Sequence, residues 1–144
     1  MTILGMNFLS ITAEKKGVLG GKVSINNNVT ITELQSVDAA IGKEKQKALR
    51  FLFEFSSKYE PGFGGITIRG EVIYIVGDEK KAKELTEGWK KDKKVPPEIM
   101  RPIMDIILAR ANVEAIILSR DMNLPPPLPM PKVTNEKEEK GYIG

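Results

Sequence analysis

From Leu49 to Phe55 the chain alternates with period two: Leu49, Phe51, Phe53 and Phe55 fall on one side, and Arg50, Leu52 and Glu54 on the other. Side chains along a strand point alternately to opposite faces, so the pattern predicts a strand with one aromatic face. Ile66 to Val76 predicts a longer strand, with Ile66, Ile68, Val72, Tyr74 and Val76 on one face and Thr67, Arg69 and Glu71 opposite. Ile73 and Ile75 then break the polar side, so the second half of this strand is expected to be more buried than the first. Gly70 lies within it and marks a bend or a bulge. Weaker alternation predicts strands around Met6, Phe8, Leu9 and Ile11, at Val23 and Ile25, and from Val29 towards Val37. Turns are expected at Lys15-Lys16-Gly17, at Gly20-Gly21, at Asn26-Asn27-Asn28, and at Pro61-Gly62-Phe63-Gly64-Gly65.

The period changes after Asp78, which is a good N-cap. Ala82, Leu85 and Trp89 recur at helical spacing, predicting a helix over 79–90 with Trp89 as its anchor. After Lys94-Val95-Pro96, Pro97 suits a first helical turn. Met100, Ile103, Met104, Ile107, Leu108, Ala111, Ala115 and Leu118 form a wide stripe, which Ile99, Ile106, Val113, Ile116 and Ile117 extend round the cylinder. A long helix to about Arg120 follows, opened or kinked near Pro102. More apolar girth than one sheet face can cover points to a second subunit. Leu124-Pro125-Pro126-Pro127-Leu128-Pro129-Met130-Pro131 must be extended, because each proline restricts its predecessor. Its leucines and methionine favour a strap packed along the surface over a proline-rich ligand for other domains. Strands first and helices after give an α+β fold: an antiparallel sheet of four or more strands packed against the long helix. Residues 1–131 form this one domain, and 132–144 form a charged tail.

Composition narrows the chemistry. The 144 residues contain no cysteine and no histidine, which removes thiol nucleophiles, cysteine or histidine metal sites and the commonest general base. No phosphate-loop or dinucleotide glycine motif is present. Glu54, Glu60 and Glu71 are the strand carboxylates, but Arg50 and Arg69 stand ready to pair with them. The chain therefore reads as a non-enzyme, with no catalytic, metal or cofactor site expected. The net charge is +3. The excess sits in 79–94, with Lys80, Lys81, Lys83, Lys90, Lys91, Lys93 and Lys94 against four acidic residues. The start lacks a basic secretory n-region and no apolar run reaches membrane-spanning length, so cytoplasmic residence without membrane insertion is expected.

Pro97-Glu98-Ile99-Met100-Arg101-Pro102 opens the long helix, after the strands and before the proline-rich segment. In this order and placement, residues 1–131 resemble the SecB export chaperone family. The resemblance implies a four-stranded antiparallel sheet on a long helix, oligomers that are commonly dimers of dimers, and apolar grooves that hold unfolded chains. Two features depart from the family. Residues 132–144 hold only Val133, Tyr142 and Ile143 as sizeable apolar groups, too few for the family's second helix. The members that deliver clients to the secretion motor are acidic, whereas this chain is basic.

The expected function is passive, ATP-independent binding of unfolded or extended polypeptide by a homodimer or tetramer. The candidate groove lining is Phe51, Phe53, Phe55, Ile66, Ile68, Tyr74, Met100, Met104 and Met130. The candidate subunit interface is Ile99, Ile103, Ile106, Val113 and Ile117. One alternative is an oligomeric scaffold or partner-binding protein. Another is weak nucleic-acid binding through lysines 80–94, without sequence specificity.

Overall fold

Leu49, Phe51, Phe53 and Phe55 belong to a strand far longer than their alternation alone marks. In the computed structural model, which describes residues 2–17 and 21–128, this strand is β3, Glu44–Glu60. It stands between β2 (Ser24–Ile41) and β4 (Gly64–Gly77), and β1 (Thr2–Lys15) lies on the far side of β4. All three pairings are antiparallel, giving the order β1-β4-β3-β2. Helices α1 (Glu79–Asp92) and α2 (Pro97–Asp121) follow. The expected α+β architecture, four antiparallel strands and then a long helix, is the one observed.

Register explains the core. Phe55 pairs with Ile68, Phe51 with Val72 and Leu49 with Tyr74, so two alternating apolar rows meet on one face. Every one of these side chains is buried. Phe53 faces Gly70, and a Cβ added to Gly70 would stand 2.6 Å from the Phe53 ring and 2.4 Å from the Asn7 carbonyl oxygen. The glycine is thus required by a close approach on both sides. A bulge does lie beside it, carried by the partner strand: β1 slips register between Phe8, opposite Gly70, and Ser10.

The second half of β4 has its own explanation. Val76 stays with the main core, while Ile75 packs on the reverse face with Ala39 and Ala48, flanked by Val37 and Ile73. Beside this small cluster the reverse face is polar. The Glu71 carboxylate accepts from Arg50 Nε at 2.5 Å and from Asn7 Nδ2 at 3.2 Å, and Arg50 Nη1 donates to Gln35 Oε1 at 3.1 Å. One polar chain thereby crosses all four strands. Arg69 pairs with Glu54 at 2.9 Å. Of the three strand carboxylates, Glu54 and Glu71 are therefore engaged by the arginines that sequence reading offered them.

Asn26-Asn27-Asn28 is not a turn. These residues pair with Lys58, Ser57 and Ser56 near the start of one 18-residue strand. Asparagine is a weak strand former, but context outweighs propensity in a sheet. Here Asn27 is held by Ser57, whose Oγ donates to Asn27 Oδ1 at 2.6 Å.

The helices form as expected. The Asp78 side chain accepts from Lys80 N at 2.9 Å and caps α1, which buries Ala82, Leu85 and Trp89. Pro97 occupies the first turn of α2, and the helix continues through Pro102. Ile99, Ile103, Ile107, Ala111 and Ala115 are its buried line.

Candidate functional site

Two dimensions decide what the helices can cover. The 25 residues of α2 extend about 38 Å at 1.5 Å per residue. The 14 to 18 residues of the strands extend roughly 45–60 Å at about 3.3 Å per residue. The helix is also narrower than a four-stranded sheet. It lies chiefly over β4 and β1, and α1 covers one end of β2, β3 and β4. Arg110 fixes α2 to the β1 side: its Nη1 donates to the Met6 carbonyl oxygen at 3.0 Å, and its guanidinium lies 5.2 Å from the Phe8 ring centre.

The β2 border of the core face is consequently covered only in part. Val29 and Ile31, opposite Phe55 and Phe53, are only half-buried, as are Val23 and Ile25. Between β2 and α2 a cavity of about 170 Å³ is lined by Val29, Phe55, Leu108, Asn112 and Leu128 together with Asn27 and Asn28. A second, of about 420 Å³, lies between Val23, Ile25 and Asn27 on β2 and Pro126, Pro127 and Leu128.

The segment that separates these cavities is the proline strap. Leu124 N donates to Ser119 O at 2.8 Å, ending α2, and Leu124 is buried. Tyr59 Oη then donates to the Pro125 carbonyl oxygen at 2.6 Å, and Asn27 Nδ2 to the Pro127 carbonyl oxygen at 2.7 Å. Burial pushes the Tyr59 phenol pKa up, which keeps this donor protonated. The described part of the segment is therefore packed at home, as its leucines indicated.

Several expected site residues lie elsewhere than expected. Phe51, Phe53, Phe55, Ile66, Ile68 and Tyr74 are core residues in the monomer, because the sheet face they share lies under the helices. Among them Phe55 reaches a cavity wall. Met100 and Met104 are half-buried against the core. Met100 also lines a cleft of about 710 Å³ where α1 meets the start of α2, with Leu85, Gly88, Val95 and Pro96. Met130 and the tail 132–144 lie outside the described residues.

The interface set divides in the same way. Ile99 and Ile103 point into the core, so they are not available to a second subunit. Ile106 is half-buried, while Val113 and Ile117 are exposed by 58% and 37%. Sequence reading missed Asn27, Ser57, Tyr59 and Arg110. One signal was present: Ser57 and Tyr59 continue the alternation of Phe53 and Phe55 and so fall on the core face.

Apart from half-buried Lys81, the lysines of 79–94 are exposed, but Trp89 is buried and Lys93 covers its ring at 5.2 Å. The tryptophan cannot stack on a base in this arrangement. Among the described residues there is no cluster of three acidic side chains that could hold a metal ion, and no helix long and apolar enough to cross a membrane.

No family model matches the chain, and no curated protein sequence matches it. Among solved structures, it is similar to a SecB-like chaperone of Mycobacterium tuberculosis, solved in complex with a ChAD peptide from an antitoxin. The two are 12% identical, with 91% of this chain and 89% of that chain covered and a TM-score of 0.45.

Proposed function

We propose that this chain binds extended or unfolded polypeptide passively, without nucleotide, as a homodimer or tetramer. The observation that carries the reading is the under-covered β2 border: Val23, Ile25, Val29 and Ile31 stay half-buried beside two cavities. Folded monomers keep contiguous apolar surface small unless it serves a partner. An extended chain laid there buries apolar side chains at about 25 cal/mol per Å², before the cost of ordering it. Half-buried Met100 and Met104 suit varied partners, because thioether side chains adapt their shape.

Self-association has separate support. β1 is a 14-residue edge strand that exposes Leu4, Leu9 and Ile11. Long apolar edges template pairing with another chain. On the α2 surface, Val113 and Ile117 add exposed apolar area. A second copy covering these groups would leave the β2 border free for clients.

The test dilutes a chemically unfolded model protein into buffer with and without this chain, no nucleotide added, and follows light scattering. Suppressed aggregation near stoichiometric ratio is expected. Undiminished aggregation across ratios, clients and temperatures, with the chain shown to be folded, overturns the reading and leaves a scaffold role ahead.

A further inference from the structure

The strap is held in an unusual way for a chain segment in a folded domain. Past the Leu124 amide, among the described residues, no backbone hydrogen bond outside helices and strands joins it to a strand. Pro125, Pro126 and Pro127 have no N–H to donate, so the segment offers only carbonyls. Two of those carbonyls are taken by side chains of the sheet, Tyr59 Oη and Asn27 Nδ2. The Asn27 amide is oriented for this by Ser57, whose hydroxyl occupies Oδ1 and leaves Nδ2 aimed at the strap. The side chain of Ser57 is itself fully buried. Between the donors, Pro127 is buried, and Leu128 lines both flanking cavities.

These features suit a strand of polyproline-II type, the conformation to which consecutive prolines are biased. Such a strand has no internal hydrogen bonds, so its carbonyls are free for outside donors, and its stiffness lowers the entropy lost on binding. Neither donor requires the bound carbonyl to belong to the same chain.

We propose that the strap is an internal occupant of a receptor made by these donors, and that the receptor takes the same chemistry from another chain: an extended, proline-containing segment with leucine-sized side chains that displaces the strap. The inference rests on the reading of this chain as a polypeptide binder and adds what the polypeptide presents and what it competes with. The strap then sets the affinity. If the open state is a small fraction of the population, the apparent dissociation constant is the intrinsic one divided by that fraction. Weakening the strap tightens binding in trans, and weakening the receptor loosens it.

The probe is a capped, fluorescein-labelled peptide with the sequence of residues 121–131, titrated with the full-length chain and read by anisotropy. Leu124→Ala and Leu128→Ala weaken the strap and leave Tyr59, Asn27 and Ser57 intact. Leu124 is buried and its variant is the harsher of the two. Leu128 is half-buried, so its variant keeps the test available should the first fail to fold. Expected results are at least about five-fold tighter peptide binding than wild type for a folded strap variant, and loss of that gain when Asn27→Ala is added. A peptide with alanine in place of its prolines is expected to bind more weakly. Equal affinity for wild type and the folded strap variants overturns the inference, as does no effect of Asn27→Ala in the strap-weakened background, or no binding to any of them. Aggregation suppression by wild type with no peptide effect removes this inference alone. A peptide effect without suppression removes the holdase reading alone.

Discussion

Gly70→Ala is a one-carbon perturbation at the most crowded point of the sheet. The added Cβ would lie 2.4 Å from the Asn7 carbonyl oxygen and 2.6 and 2.8 Å from two atoms of the Phe53 ring. Neither neighbour can yield cheaply. Asn7 O belongs to a strand backbone paired through Glu71, and Phe53 is 1% exposed in the middle of the core. Overpacking of this kind costs about 1–3 kcal/mol, and two opposed contacts place the cost toward the upper end. Against it stands the lower entropy of the unfolded chain with alanine, about 0.4–1 kcal/mol. The net expectation is a loss of about 1–2.5 kcal/mol, or roughly 4–9 °C in the melting temperature of a domain this size. Thermal denaturation followed by circular dichroism measures it. Phe53→Leu shortens the ring that meets the new Cβ, so Gly70→Ala with Phe53→Leu should lose less than the sum of the two single losses. A Gly70→Ala variant that melts within about 1 °C of wild type would refute the crowding argument, and strict additivity in the double variant would refute the part assigned to Phe53.

Gly88→Ala should do the reverse: the residue is inside α1, the nearest atom to its built Cβ is Lys94 O at 3.7 Å, and replacing a helix-interior glycine gains about 0.8–1 kcal/mol, readable as a raised melting temperature. Glu71 supplies a pH dependence. The Arg50 hydrogen bond, opposed by burial and assisted by Asn7, holds its carboxyl below the ordinary 4.5. A depressed folded pKa stabilises the fold in full above the unfolded value, and that contribution disappears as pH falls through the folded value. Urea denaturation should show wild type more stable than Glu71→Gln at neutral pH, with the gap shrinking in acid; a gap constant with pH would contradict the assignment. Val113→Asp changes a residue that is 58% exposed in the monomer, so light scattering should report dissociation of the oligomer while circular dichroism stays native. A wild-type chain that is monomeric at high micromolar concentration would remove the basis of that expectation.

Much of the fold was legible because period-two alternation survives wherever a strand has one covered face. Phe51, Phe53 and Phe55 marked β3, and Asp78 and Pro97 marked the starts of both helices. The failures have local causes. Asn26-Asn27-Asn28 carries a turn signal, yet Asn27 is placed opposite Ser57 and satisfied by the strap, a partner 100 residues away. Strand ends were drawn short, since Ser57 and Tyr59 are polar or amphipathic residues that pattern reading does not count as core. Both are buried here because hydrogen bonds satisfy their hydroxyls.

The candidate site was harder to read, for a geometric reason. Sequence pattern shows that a face is apolar, but it does not show which part of that face a helix covers. Phe55 and Val29 are neighbours in register on the same face, yet Phe55 is 2% exposed and Val29 is half-buried. Nothing in the identity of either residue carries that difference. It comes from the lateral position of α2, which Arg110 ties to Met6 and Phe8 on β1, at the opposite edge of the sheet. Aromatic content therefore pointed to the middle strands, whose core-face side chains are buried. The under-covered border falls on β2, whose valines and isoleucines looked like ordinary strand residues. Asn27, a polar residue on its core face, hydrogen-bonds the strap, and on the proposed reading the strap limits how much of that border another chain can reach.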